Sequence, residues 1–120
     1  MTTVLLVALG AAIGAPLRYL TDRTVQARHD SVFPWGTFTV NVCGSLVLGF
    51  LTALPTTPSV TALLGTGFCG ALTTYSTFSY ETLRLLQQGA RFYAIANVIA
   101  SVVAGLGAAA IGLLLAQAIN

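Results

Sequence analysis

The chain has 120 residues, 56% of them hydrophobic and only 7% charged, with a formal net charge of +2 and a mean hydropathy of +0.86. An ordinary soluble domain carries roughly 25% charged residues, so this composition argues against a water-soluble fold. The small positive balance is no nucleic-acid footprint, and the apolar stretches take up so much of the chain that no soluble catalytic module fits beside them.

Four apolar stretches, about 3–20, 35–54, 60–86 and 92–119, are each long enough to cross a hydrocarbon core, which needs about 20 residues as helix. Residues 1–120 are therefore expected to form a single all-α integral membrane domain of four helices. The first stretch lacks a basic leader and holds Gly10 and Gly14, which suit close helix contact; it is expected to be a retained span rather than a secretory signal. The segment TDRTVQARHDSVFP, 21–34, is the one long connection, with His29 read as a solvated side chain. Phe33 and Trp35 stand where an interfacial aromatic belt is expected.

In the second stretch Asn41 and Ser45 are four residues apart and share a helix face, with Gly44 and Gly49 nearby to admit a neighbouring backbone. After the turn PTTPS, 55–59, the third stretch departs from ordinary helix: Gly65, Gly67 and Gly70 precede a run of hydroxyl, β-branched and aromatic residues from Thr73 to Ser79. These are weak helix formers, and the span is expected to break or distort there. Broken backbone at membrane depth is tolerated only inside protein or beside a wet cavity, so the break hints at an ion site. The bland alternative is a helix whose Ser and Thr side chains bond back to the preceding turn.

On a helix through 74–82, Tyr75, Phe78, Ser79 and Thr82 share one face, and Thr74, Thr77, Phe78 and Glu81 the next. Glu81 is an intramembrane carboxylate, hence either functional or a partner for Arg84 or Arg18 at the membrane edge. The turn QQGAR, 87–91, leads into the fourth stretch, where Asn97 and Ser101 repeat the four-residue spacing. Cys43 and Cys69 lie within apolar spans and read as small core fillers rather than a disulfide or metal site.

Alternating spans put Arg18, Arg23, Arg28, Arg84 and Arg91 on one side of the membrane and no arginine on the other. The positive-inside rule then places that side in the cytoplasm and both termini outside. No enzyme signature is present: the single His has no Cys nucleophile beside it, and Asp22, Asp30 and Glu81 are scattered.

GAAIGAPLRY (10–19), PWGTFTVNVCGSLVLG (34–49), GTGFCGALTTYSTFSYE (65–81) and ANVIAS (96–101) follow one another at separations that resemble the fluoride channel family, Fluc, also called CrcB. The third block is the most specific. The resemblance implies passive, fluoride-selective export across the plasma membrane that lowers cytoplasmic fluoride, by a multi-pass protein embedded in lipid. It also implies an antiparallel dimer with two pores. Asn41 corresponds to the pore asparagine, and Tyr75 and Phe78 to two pore-facing phenylalanines; Thr74, Ser79, Tyr93, Asn97 and Ser101 are further candidates for the lining. Arg18 would stand at the cytoplasmic vestibule, and the main-chain carbonyls of Gly70 and Thr73 would hold a structural sodium ion at the dimer centre. Tyr75 where Phe is usual, and Ala71 where a second glycine is commoner, are departures from the family pattern.

The arginine asymmetry bears on that dimer, since one sequence inserting both ways is expected to balance its basic residues. The partner is accordingly either a second copy, forming a homodimer, or an oppositely oriented relative, forming a heterodimer. A small proton-coupled multidrug-type exporter is the rival function. It calls for an acidic residue in the first span, and 3–20 contains none.

Overall fold

The computed structural model describes residues 1–120, and all its regular structure is helical. Helix α1 (Thr2–Ala27) outruns the apolar stretch that begins it. Residues 21–27 of the expected long connection are helical, leaving 28–34 as the link. Nothing in that stretch stops a helix: it contains neither glycine nor proline, and Arg23, Gln26 and Ala27 favour helix. Pro16 lies inside α1 and removes one amide from its ladder.

One side chain makes three hydrogen bonds across the link. Gln26 Nε2 donates to the carbonyls of Ser31 and Phe33, each at 3.3 Å, and its Oε1 accepts from Gly36 N–H at 3.3 Å. His29, expected to be merely solvated, is exposed but anchored: its Nδ1 lies 2.8 Å from Val25 O, and its ring stacks on Trp35 with centroids 5.4 Å apart. Helix α2 (Trp35–Thr52) follows, and all its hydroxyls but that of Thr37 turn back on their own helix, as Thr39 does to Trp35 O at 2.7 Å and Ser45 to Asn41 O at 2.7 Å. Such back-bonding hides a hydroxyl inside an apolar span.

The third helical stretch, α3 (58–72), opens on a capped start: Thr57 Oγ1 accepts from Val60 N–H at 3.3 Å, with Pro58 as the first residue. Thr61–Cys69 is wound as π-helix, and Gly70 N–H reaches back five residues to Gly65 O. Gly70–Leu72 returns to α geometry, then Thr73 swings out to φ −81°, ψ 159° and the helix stops. Helix α4 (Ser76–Gln87) restarts it. Its end is a Schellman turn, with Gly89 at φ +81°, its N–H on Leu86 O at 3.1 Å and Ala90 N–H on Leu85 O at 2.8 Å. Helix α5 (Arg91–Ile119) completes the chain.

Two tight seams organise these pieces: α1 packs along α3, and α2 along α5, with α4 laid against α5. Both seams are closed by glycine. A Cβ on Gly10 would fall on Leu63 O, and one on Gly67 on Val7 O; in the second seam a Cβ on Gly49 would meet the Ala109 backbone, and one on Gly112 would meet Leu46 O. Small residues of this kind let helix backbones touch.

The burial pattern is inverted relative to a protein folded in water. The largest fully buried side chains are Val40, Asn97 and Thr37, two of them polar, whereas Leu5, Leu9 and Ile13 of α1 and Val103 and Leu106 of α5 face outward. Helices α1, α2 and α5 are each long and apolar enough to cross a membrane, and the molecule is 47 Å long, comparable with the roughly 40–45 Å of a bilayer including its headgroups. The stretch 58–87 is apolar too, but its interruption leaves no single long helix. Cys69 is buried as expected; Cys43 is exposed on the single chain, so only one of the two fills the core.

Candidate functional site

At the break between α3 and α4 the backbone no longer satisfies itself. A continuous helix would send Thr74 N–H to Gly70 O and Thr77 N–H to Thr73 O. Neither bond forms. Thr74 N–H goes instead to Asn41 Oδ1 at 2.7 Å, and Thr77 N–H to Thr74 Oγ1 at 3.1 Å. The carbonyls of Gly70 and Thr73 are thereby left without helical donors. Asn41 also donates from Nδ2 to Thr74 O at 3.0 Å, so one amide side chain satisfies both peptide groups of Thr74.

The hydroxyl run around the break divides by use. Thr73 bonds back to Cys69 O at 2.9 Å, the inert arrangement, and Thr82 bonds back to Phe78 O at 2.8 Å while its oxygen stays open to a second partner. Thr74 alone uses its hydroxyl to cap the restarting helix.

Two cavities flank the break. One, of about 630 Å³, is lined by Arg18, Asp22, Arg23, Thr37, Thr77 and Glu81 and forms a charged vestibule. The other, of about 700 Å³, is a cleft bounded by Asn41, Gly70, Thr73, Tyr75, Phe78 and Ser101. Thr74 is the one residue that lines both. Of the two faces expected along 74–82, Thr77 and Glu81 line the vestibule and Tyr75 and Phe78 the cleft, whereas the helix begins only at Ser76 and Ser79 and Thr82 line neither space.

In the vestibule the Glu81 carboxylate accepts a hydrogen bond from the buried Thr37 hydroxyl, rather than pairing with Arg18 or Arg84 as one sequence alternative had it. A further cavity that brings Ser31 and Pro34 together with Arg84 and Gln88 puts the α1–α2 link and the α4–α5 turn at the same end of the molecule. Arg18, Arg23 and Arg84 therefore gather at that end, as the alternation of spans predicts.

In the cleft the rings of Tyr75 and Phe78 stand with centroids 6.4 Å apart and planes tilted by 45°. Tyr75 is 81% exposed, so one wall of the cleft is open on a single chain. Behind it runs a buried polar chain: Ser101 Oγ donates to Asn97 Oδ1 at 3.3 Å, Asn97 Nδ2 to Thr82 Oγ1 at 2.8 Å, and Thr82 to Phe78 O. Asn97 is only 1% exposed, which makes these bonds necessary for its amide.

The structure thus gathers Asn41, Gly70, Thr73, Thr74, Tyr75, Phe78 and Ser101 around one cleft, with Asn97 linked behind it and Arg18 in the adjoining vestibule. Ser79 and Tyr93 do not line the cleft; Tyr93 packs edge-on against Phe92 at 5.5 Å. Thr37, Thr82 and Gln26 were not singled out for these roles from sequence. Thr37 lies one turn before Asn41 on α2, a spacing that would have flagged it as lining the same face.

An all-helical chain with an apolar exterior, and with polar groups collected at a helix break, is a membrane protein whose chemistry lies in its interior. A family model described as CrcB-like protein, Camphor Resistance (CrcB), matches residues 5–113, and the chain belongs to this family. Its sequence is 66% identical to the Fluoride-specific ion channel FluC 1 of Streptomyces avermitilis over 119 residues, covering 96% of each chain. It is 61% identical to the protein of the same name from Frankia casuarinae over 124 residues, again 96% of each. A third, from Thermobifida fusca, is 52% identical over 111 residues and 92% of each. The resemblance read from GALTTYSTFSYE and its companion blocks is therefore correct at the level of family.

Proposed function

We propose that the protein is a fluoride-selective channel that lets fluoride leave the cytoplasm passively across the plasma membrane, crossing it four times with 58–87 as the interrupted third span. One observation carries the reading: two aromatic rings and the Asn41 amide converge on a cleft at a helix break, in a chain whose relatives are named fluoride-specific ion channels. Fluoride holds its water tightly, so a narrow path must offer replacement hydrogen bonds as that water is stripped. Asn41 keeps one amide hydrogen beyond its bond to Thr74, and Ser101 borders the same space. The edges of the Tyr75 and Phe78 rings carry the positive part of the ring quadrupole and suit an anion. Thr74 completes the proposed lining, with the buried Asn97 bonded behind Ser101, while Arg18 raises the local anion concentration in the vestibule.

A dimer follows from the open wall of the cleft. The exposed Gly70, whose carbonyl has no helical donor, and the exposed Tyr75 ring would face lipid on a lone subunit, and unpaired backbone in hydrocarbon is expensive. A second subunit covering this face, antiparallel to the first, removes that cost and gives two pores. Because all five arginines are expected on one side, the partner is either another copy that overrides the bias or an oppositely oriented relative. Finding both orientations of terminally tagged protein equally populated, with this chain expressed alone, would remove the need for a relative.

The Gly70 and Thr73 carbonyls suit the structural sodium of the dimer centre, because they are main-chain oxygens with no helical donor and sodium is a hard cation favouring oxygen. When bound it supplies positive charge shared by the two breaks. The channel is tested by fluoride efflux from reconstituted vesicles. Wild type should pass fluoride down its gradient without ATP or a coupled ion and nearly exclude chloride. Asn41→Ala and Phe78→Ile should each lose roughly an order of magnitude in rate. Equal passage of chloride, or unchanged efflux in both variants, would defeat the site.

A further inference from the structure

The break has a built-in selector for which carbonyls it frees, and that selector sits on other groups than the carbonyls themselves. Four bonds define it. Asn41 Oδ1 takes Thr74 N–H at 2.7 Å, Asn41 Nδ2 holds Thr74 O at 3.0 Å, Thr74 Oγ1 takes Thr77 N–H at 3.1 Å, and Thr73 N–H stays on Cys69 O at 3.0 Å. The two diverted amides are those that a continuous helix would have spent on Gly70 O and Thr73 O. One turn along α2 from Asn41, Gly44 completes the receptor: a Cβ there would collide with Thr73 Cγ2. Helix α2 therefore grips residues 73–74 twice, by an amide that acts as a surrogate backbone and by a missing side chain that admits the Thr73 methyl.

We infer that Asn41 and the Thr74 hydroxyl are positioning residues for the cation site, releasing the Gly70 and Thr73 carbonyls by occupying the amides that would otherwise bond them. This rests on the sodium reading given above. It changes what an Asn41 variant means. Loss of flux in Asn41→Ala reports damage to the break as well as a lost contact with the permeating ion.

The distinction is measured without any flux, as the melting temperature of the purified full chain in sodium chloride against N-methylglucamine chloride. A ligand that binds only the folded state raises that temperature in a concentration-dependent way. Wild type should be stabilised by sodium. In Asn41→Leu the half-saturating sodium concentration should rise at least about tenfold, and in Thr74→Val severalfold; Thr74→Ser, which keeps the capping hydroxyl, should stay within about twofold of wild type. Phe78→Ile touches the cleft but none of the four bonds, so it should lose flux and keep its sodium response. Should Asn41→Leu fail to fold, the Thr74→Val and Thr74→Ser pair decides by the same readout. A wild type indifferent to sodium overturns the sodium reading itself. A normal sodium response in both Asn41→Leu and Thr74→Val overturns only the positioning role.

Discussion

Along the α2–α5 seam the two helices meet through absence: Gly49 lies against the Ala109 backbone and Gly112 against Leu46 O, with no side chain between. Between Leu72 and Ser76 the opposite holds. There the backbone cannot satisfy itself, and Asn41 from a different helix, with the Thr74 hydroxyl, supplies what is missing. The first region is held by dispersion over a large contact and has little chemistry to offer. The second is held by a few directional bonds, leaves carbonyls and ring edges accessible, and borders both cavities. A membrane protein with few charges can make a polar site by unsatisfying its own backbone in one place, provided the rest of the fold is closed without polar groups.

If that division is right, the seam should be sensitive to volume and the break to hydrogen bonding. The largest effect is expected from Gly112→Val, which forces a branched side chain onto the Leu46 carbonyl and the Phe50 amide. Overpacking of this kind costs about 3 kcal/mol or more when only backbone is there to yield. Loss of the folded, monodisperse species in detergent is the expected outcome, and a normal melting profile would show that the seam is looser than its geometry. Next is Thr82→Val, which keeps the volume but deprives the buried Asn97 amide of its acceptor. Interhelical hydrogen bonds in membranes contribute only about 0.6 kcal/mol on average, so a fall of a few degrees in melting temperature is expected. A collapse as complete as that of Gly112→Val would contradict the contrast.

Gln26→Leu should be smaller still in stability and local in extent. It removes the three bonds that hold 28–34 to the start of α2. Hydrogen exchange should quicken at the Gly36 amide, which loses its acceptor, while the α2–α5 seam stays protected. Unchanged exchange at Gly36 would mean that the His29, Trp35 and Phe33 rings hold the link without help.

How much of this was readable beforehand follows the same division. Hydrophobic stretches, the small residues at Gly10, Gly14, Gly44 and Gly49 and the hydroxyl run are local, and they marked the helices, some close-packing faces and the neighbourhood of the break, but not which helices pair. The details of the break were not local. The glycines and the run from Thr73 to Ser79 marked a span that breaks or distorts, and the two parts share those outcomes: the stretch holding Gly65 and Gly67 is distorted into π-helix but stays helical, with α1 packed closely on Gly67. Interruption comes later, at 73–75, where side chains rather than glycines compete for the amides. Asn41 was picked out as an isolated amide in an apolar span, but its partner, a peptide 33 residues further on, has no signature in spacing. Gln26 escaped because 21–34 reads as a connection once hydrophobicity is the guide; helix propensity over 21–27 was the signal to follow.

The subtlest variant probes what lies outside one chain. Gly107 on α5 sits in the same small-residue run as Gly105 and Gly112, but an added Cβ would meet nothing within 4 Å. For the isolated chain, Gly107→Ala is therefore expected to be slightly stabilising, since Gly in a helix interior costs about 0.8–1.0 kcal/mol relative to Ala. Lipid tails adjust to one extra methyl, whereas a packed helix does not. If Gly107→Ala raises the melting temperature slightly, that face of α5 looks onto lipid. If it lowers it, and more so at concentrations that favour association, the face is covered by another subunit, and the contrast drawn inside one chain extends across the boundary between two: a second glycine seam beside a shared break.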